Sequence, residues 1–228
     1  MPENIETKTP GICLAFFLGC YPMGKKKQSK ELALLESIKF AVKPYKEKLV
    51  GKKYLFVFDG RFLEVIFKAE NFKHLAGVES PLSKRGFYKA AVSRTLNLKQ
   101  LRFTNQHPFD YAQRKAAHLA EISSLVSEQS TILETVSLGP RMYRLGSTNH
   151  SFSVLFEEDH VKGEPRGYYV PYSLRDEDVT AHSENSCDVT HVFEKASHER
   201  FYTKLTFLRD GHTLDELPQD IRDRLALS

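Results

Sequence analysis

The sequence predicts an α+β fold in which N-terminal helices pack on an antiparallel β-sheet. Three observations predict it. Helical spacing of apolar residues is concentrated before residue 128. After residue 130 the texture changes to short strand-like runs separated by turn residues. No alternation of strand and helix suggests a dinucleotide-binding fold, and no Gly-rich phosphate loop is present. Helices followed by a meander of strands favour one antiparallel sheet with helices on one face.

The elements follow in order. Leu32, Leu35, Ile38, Val42, Tyr45 and Leu49 recur at three- and four-residue steps and outline an amphipathic helix with lysines on its other face. Pro44 predicts a kink or break near Lys43, because proline removes a backbone donor and crowds the preceding turn. Tyr54–Phe58 and Phe62–Phe67 are apolar and aromatic, and Asp59-Gly60 between them is a two-residue hairpin signal. Gly77 ends a helical turn. Ser83 caps a second helix running to Arg94. Pro108–Ser127 reads as a third helix with Pro108 as its first residue and Tyr111, Leu119, Ile122 and Val126 as its apolar stripe. Strands are expected at Thr131–Val136, Arg141–Leu145, Phe152–Phe156, Gly167–Val170, Cys187–Phe193 and Phe201–Leu208. A short polar helix from Thr213, its cap, to Leu225 is interrupted by Pro218.

The chain of 228 residues divides into an extension over 1–23, one α+β domain over 24–210 and a helical tail over 211–228. A hydrophobic content of 41% supports a packed core and excludes a disordered chain. Ile12–Cys20 is too short to cross a bilayer. Its readings are a lipoprotein-type processing site, a segment packed on the domain, or an upstream stretch preceding a start at Met23; the last is favoured. Net charge is only +4, but ten lysines against three acids lie between Lys25 and Lys53. That distribution suits either a phosphate-facing surface or a solvated helix face. Cys13, Cys20 and Cys187 are too few and too scattered for a disulfide framework, which points to a reducing, cytoplasmic setting. Neither His-Glu-x-x-His nor paired Cys-x-x-Cys occurs, so no metal or other cofactor is expected. No membrane association is expected either.

The run Lys68–Gly77, Lys-x-x-Asn-Phe-x-His-Leu-x-Gly, resembles the signature of a phage-associated nuclease family, the fourth such group in the barnase–EndoU–colicin–RelE-like superfamily. Further short matches are Tyr45–Leu49, Phe87–Lys89, the YVPYSL element Tyr169–Leu174, Phe193-x-Lys195 and Tyr202. The resemblance runs from about Gly24 to Leu208, while Ser147–Ser151 and Arg175–Ser186 match nothing in it. It implies a barnase/RelE-like fold and an endoribonuclease of a phage or mobile element, acting as a toxin or defence effector. RNA would be its substrate, and an antitoxin or immunity protein its partner. The implied chemistry is metal-independent attack of the ribose 2′-hydroxyl on its own phosphate, which leaves DNA inert. The alternative on the same fold is a non-catalytic RNA- or protein-binding module. A third reading is a structural protein with no nucleic-acid role.

Such chemistry needs a base, an acid and cations or amides that stabilise charge on phosphorus. His74 is the candidate acid or base, since histidine titrates near neutrality. It could equally pack beside Phe72 and Leu75. Lys195 is a candidate phosphate ligand or a solvent-facing strand lysine. Ser173 is a candidate phosphate donor or a turn cap. Asn71 and Tyr202 are candidate substrate contacts, against turn closure and core packing respectively. Lys68 and Lys73 suit phosphate positioning. His191, on the strand of Lys195, is the histidine best placed to complete a pair with His74. His107 is assigned to a helix start, His118 to packing and Cys187 to the interior.

Overall fold

The computed structural model describes residues 23–227. The readings of Ile12–Cys20 and of the start at Met23 therefore concern residues outside those described. Helix α1 (Met23–Pro44) buries Leu34, Leu35, Ile38, Ala41 and Val42. Leu32, expected on that stripe, is 50% exposed. Its buried face begins only where the sheet and α4 lie beneath it. Pro44 does not break the axis: the chain continues as a wider π-helical turn, Tyr45–Leu49, which avoids the proline ring and buries Tyr45 and Leu49.

Strands β1 (Lys52–Phe58) and β2 (Arg61–Ile66) form the predicted hairpin. Asp59 and Gly60 take φ of 48° and 65°, the paired left-handed geometry that matches strand twist. Helices α2 (Asn71–Leu75) and α3 (Lys84–Val92) follow. The Ser83 side chain accepts from the Gly86 N–H, as its cap role requires. Helix α4 (Phe109–Leu119) stops short of the predicted end and gives way to a 3₁₀ turn, Ile122–Val126. Pro108 is its cap rather than its first residue.

The remaining strands are β3 (Thr131–Leu138), β4 (Arg141–Thr148), β5 (Ser153–Val161), β6 (Glu164–Arg175), β7 (Ser183–Asp188), β8 (His191–Ala196) and β9 (Lys204–Leu208). Phe201 lies outside the last of them and is exposed. All nine strands join one sheet in the order β7-β3-β4-β5-β6-β2-β1-β8-β9. The protein is α+β, with one departure from the antiparallel expectation: β2 meets β6 in parallel at Val65 and Tyr169. The strand expected at Cys187–Phe193 is really the junction of two. Val189 and Thr190 bend one extended run, so that β7 pairs with β3 and β8 with β1. Across that bend Arg61, at the start of β2, holds Glu134 of β3 at 2.8 Å. The sheet therefore curls upon itself.

Period-two alternation separates two cores. Tyr54, Phe56 and Phe58 face the main core beneath α1 to α4, with Phe72, Phe87 and Leu119. Leu55 and Val57 face the other side, where Phe193, Tyr202, Leu217 and Ile221 cover them. The last two residues belong to the turn before α5 and to α5 itself (Gln219–Arg222), so helical segments occupy both sheet faces and not one. Thr213, expected to cap this region, makes no side-chain cap bond.

Candidate functional site

The Lys68–Gly77 motif divides its labour residue by residue. Asn71 Oδ1 accepts from the Lys68 N–H at 2.9 Å, and its Nδ2 donates to the Pro171 carbonyl at 3.1 Å. It closes the turn and at the same time rivets α2 to β6. Phe72 and Leu75 are buried in the main core. Lys73 donates to the carbonyls of Ser80 and Leu82, so its ammonium braces the following loop. Lys68 pairs with Asp159 at 2.6 Å. His74 is half-buried, its ring 4.7 Å from that of Tyr172 on β6.

Gly77 has φ of +68°, and a Cβ there would sit 2.7 Å from Cδ of Lys115. The missing side chain is thus what lets the Lys115 stem pass. Lys115 is only 3% exposed, and its ammonium lies 4.3 Å from the centroid of the Tyr111 ring. Burial, with Arg175 nearby, brings its pKa down to about 7. His74 is likewise lowered, to about 4. Burial is the main cause, followed by the positive charges of Lys115, Lys84, His107 and Arg141.

Lys115 and Arg141 act on His74 through their charge, beside a cationic recess whose walls are other residues. Lys84, Val78, Glu79 and His107 join Lys73 and His74 around a cavity of about 150 Å³. His107 Nε2 lies 3.1 Å from Glu79. The guanidinium of Arg141 lies 4.2 Å from the Tyr172 ring and also meets Glu157 at 2.8 Å. Ser173, buried on β6, lies beside the Tyr111 hydroxyl, which accepts from Arg175 at 3.1 Å. His74 and Asn71 are thus brought to β6, at Tyr172 and Pro171, and Ser173 of the same strand meets Tyr111 of α4.

Lys195 and Tyr202 are not brought there. The Lys195 ammonium donates to the Arg200 carbonyl and sits 4.3 Å from the Tyr202 ring centroid. The Tyr202 hydroxyl donates to Glu64 at 2.8 Å, and burial pushes its pKa upward. None of these partners touches His74. The two residues stabilise the sheet end under α5, because β8 carries Lys195 three strands away from β6 and Tyr202 follows in the connection to β9. His191 is fully buried, bonded to Thr190 and to the Thr213 carbonyl, and likewise distant in the sheet order. Cys187 is half-buried rather than interior, beside Arg61. His118 packs on Phe152, as expected.

Sequence reasoning overlooked Lys115, Arg141, Tyr111, Tyr172 and Lys84, and gave His107 only a helix-start role. One signal for Lys115 was available. It falls midway between Tyr111 and Leu119 on the apolar stripe of α4, where a lysine has no solvent to reach. Arg141 offered no such signal, since it is an ordinary hairpin residue until β6 brings Tyr172 beneath it.

Among the described residues no three His, Cys, Asp or Glu side chains cluster as metal ligands do, and no helix is long and apolar enough to cross a membrane. Comparison with curated proteins and with solved structures finds no match for the chain. A family model described as phage-Barnase-EndoU-ColicinE5/D-RelE like nuclease4 matches residues 37–211, from the middle of α1 to just beyond β9. That span contains the whole Lys68–Gly77 motif and every wall of the recess, and on that match the chain belongs to this phage-associated nuclease family.

Proposed function

We propose that the protein is an endoribonuclease of the barnase/RelE kind, cutting RNA at the His74 recess by attack of the 2′-hydroxyl on the adjacent phosphate. The observation that carries the reading is a neighbouring histidine and lysine beside one cationic recess, both lowered mainly by burial, His74 to about 4 and Lys115 to about 7. Strongly perturbed titratable groups of this kind cluster at functional sites, and a lysine brought near neutrality suits acid–base work. Between those values His74 is neutral and Lys115 charged. Neutral His74 takes the 2′-hydroxyl proton as the 2′-oxygen bonds to phosphorus. The bond from phosphorus to the 5′-oxygen breaks, and the Lys115 ammonium protonates the departing oxygen. The products are a 2′,3′-cyclic phosphate and a 5′-hydroxyl. Arg141 and Lys84 hold the phosphate, and its arrival raises the pKa of both reacting groups, which strengthens His74 as a base.

A binding module is the second reading. One observation favours it: in the free protein His74 is so weak a base that the recess suits anion capture as well as proton transfer. The two are separated with single-stranded RNA, structured RNA and matched DNA in chelator. Wild type is expected to cut RNA alone, leaving cyclic phosphate ends. His74→Ala is expected to bind and melt as wild type does but to cut at least ~100-fold more slowly. Binding without cleavage by either protein gives the module reading instead. The role of a phage or mobile-element toxin, answered by an antitoxin, extends the proposal. It predicts that the wild-type chain arrests growth of a bacterial host and His74→Ala does not.

A further inference from the structure

Tyr168 lies on β6 four residues before Tyr172, at a strand rise of about 13 Å from it. Its ring is partly exposed and draws cations from three separate elements. Lys53 of β1 places its ammonium 4.4 Å from the ring centroid, Arg166 of β6 its guanidinium at 5.6 Å, and Lys68 its ammonium at 5.8 Å. Only Lys68 has a carboxylate within ion-pair distance among the described residues. Lys53 is moreover placed directly across the β1–β8 ladder from Lys195, and like charges so opposed are unfavourable for the sheet. Lys195 relieves part of this by turning its ammonium to the Arg200 carbonyl, which leaves Lys53 over Tyr168. Asp159, the partner of Lys68, also bonds the Tyr168 side chain, which leaves Lys53 and Arg166 as cations without a carboxylate beside an accessible aromatic ring. Such an arrangement holds single-stranded nucleic acid. There a base stacks on the ring and its flanking phosphates meet the cations.

Resting on the ribonuclease reading of the His74 recess, we infer that Tyr168 is a stacking subsite for an unpaired base of the same RNA strand, with Lys53 and Arg166 on its flanking phosphates. The substrate is then single-stranded or looped RNA. A-form duplex keeps its bases stacked on one another and offers this ring nothing to bind. Tyr172 of the same strand packs on His74, so a strand laid along β6 from Tyr168 leads toward the recess.

The test uses equilibrium binding of a 2′-O-methyl oligonucleotide, which cannot be cut, so its result does not depend on catalysis. Wild type, Tyr168→Ala, Tyr168→Phe and Lys53→Met are compared on a single strand and on a hairpin duplex of equal length. Tyr168→Ala is expected to weaken single-strand binding about tenfold or more with its salt dependence unchanged, and Tyr168→Phe to bind as wild type. Lys53→Met is expected to reduce the salt slope by about one and to leave the preference for single strands intact. Equal binding by wild type and Tyr168→Ala, duplex bound as tightly as single strand, or no binding by wild type overturns the subsite. If RNA is never cleaved but Tyr168→Ala still loses binding, the subsite stands and the catalytic reading falls.

Discussion

The stem of Lys115 crosses the chain at Gly77, where a Cβ would stand 2.7 Å from the lysine Cδ. The glycine that ends the Lys68–Gly77 motif and a lysine on α4 are thus two halves of one contact. The glycine meets two demands at once, a φ of +68° and the absence of a side chain. The second demand is visible only with Lys115 in place.

Gly77→Ala is therefore expected to destabilise the protein by roughly 1–3 kcal/mol, combining backbone strain with the clash. In Gly77→Ala/Lys115→Ala the clash disappears and only the strain remains. A double-mutant cycle by chemical denaturation is expected to show a coupling of about 1 kcal/mol. Strict additivity would mean that the lysine stem yields without cost.

Lys115→Met keeps the stem and removes a buried charge. The native lysine has a folded pKa of about 7 against an ordinary 10.5. The unfolded chain thus binds the extra proton between those values, and stability rises with pH across that window. The methionine variant is expected to be more stable than wild type at pH 7 by about 1 kcal/mol, to lose the rise toward pH 10, and to cleave RNA at least ~100-fold more slowly. A variant that melts lower at pH 7 would place the ammonium in a favourable site instead.

The two tuned groups define a pH profile. Cleavage measured as kcat/KM is expected to rise through about pH 4 as His74 loses its proton and to fall above about pH 7 as Lys115 loses its own. Lys115→Arg is expected to abolish the falling limb, because guanidinium stays protonated throughout. Stability has its own dependence at the acid end. The unfolded histidine titrates near 6.5 and the folded one near 4, so stability declines as pH falls through that window. His74→Ala is expected to flatten this decline, read as Tm against pH.

Asn71→Ala removes both bonds of the rivet between α2 and β6. A loss of about 1–2 kcal/mol is expected, since the Lys68 N–H and the Pro171 carbonyl lose their partners. His74 is then displaced from Tyr172, and kcat is expected to fall more than KM changes. A drop in stability with kcat intact would make Asn71 a turn residue alone.

Lys195→Met is expected to leave the rate of RNA cleavage within about threefold of wild type. The Lys195 ammonium is already taken by the Arg200 carbonyl and the Tyr202 ring. A loss comparable to that of His74→Ala would return Lys195 to the reacting phosphate.

Much of the fold is written locally. The α1 stripe, the Asp59-Gly60 hairpin, the Ser83 cap and the φ of Gly77 each depend on a few neighbouring residues. Periodicity and turn chemistry suffice to specify them, and the α+β class follows from their order. The motif Lys68–Gly77 likewise pointed to the family from the chain alone. What the sequence could not determine is which residues meet. His74 gains its depressed pKa first from burial and then from Lys115, Lys84, His107 and Arg141, spread over α3, α4, β4 and a loop. The parallel contact of β2 with β6 and the bend at Val189-Thr190 decide that Tyr172, with Arg141 over its ring, meets His74 while Lys195 does not. Burial and long-range charge are properties of that packing, and pattern within one segment carries neither.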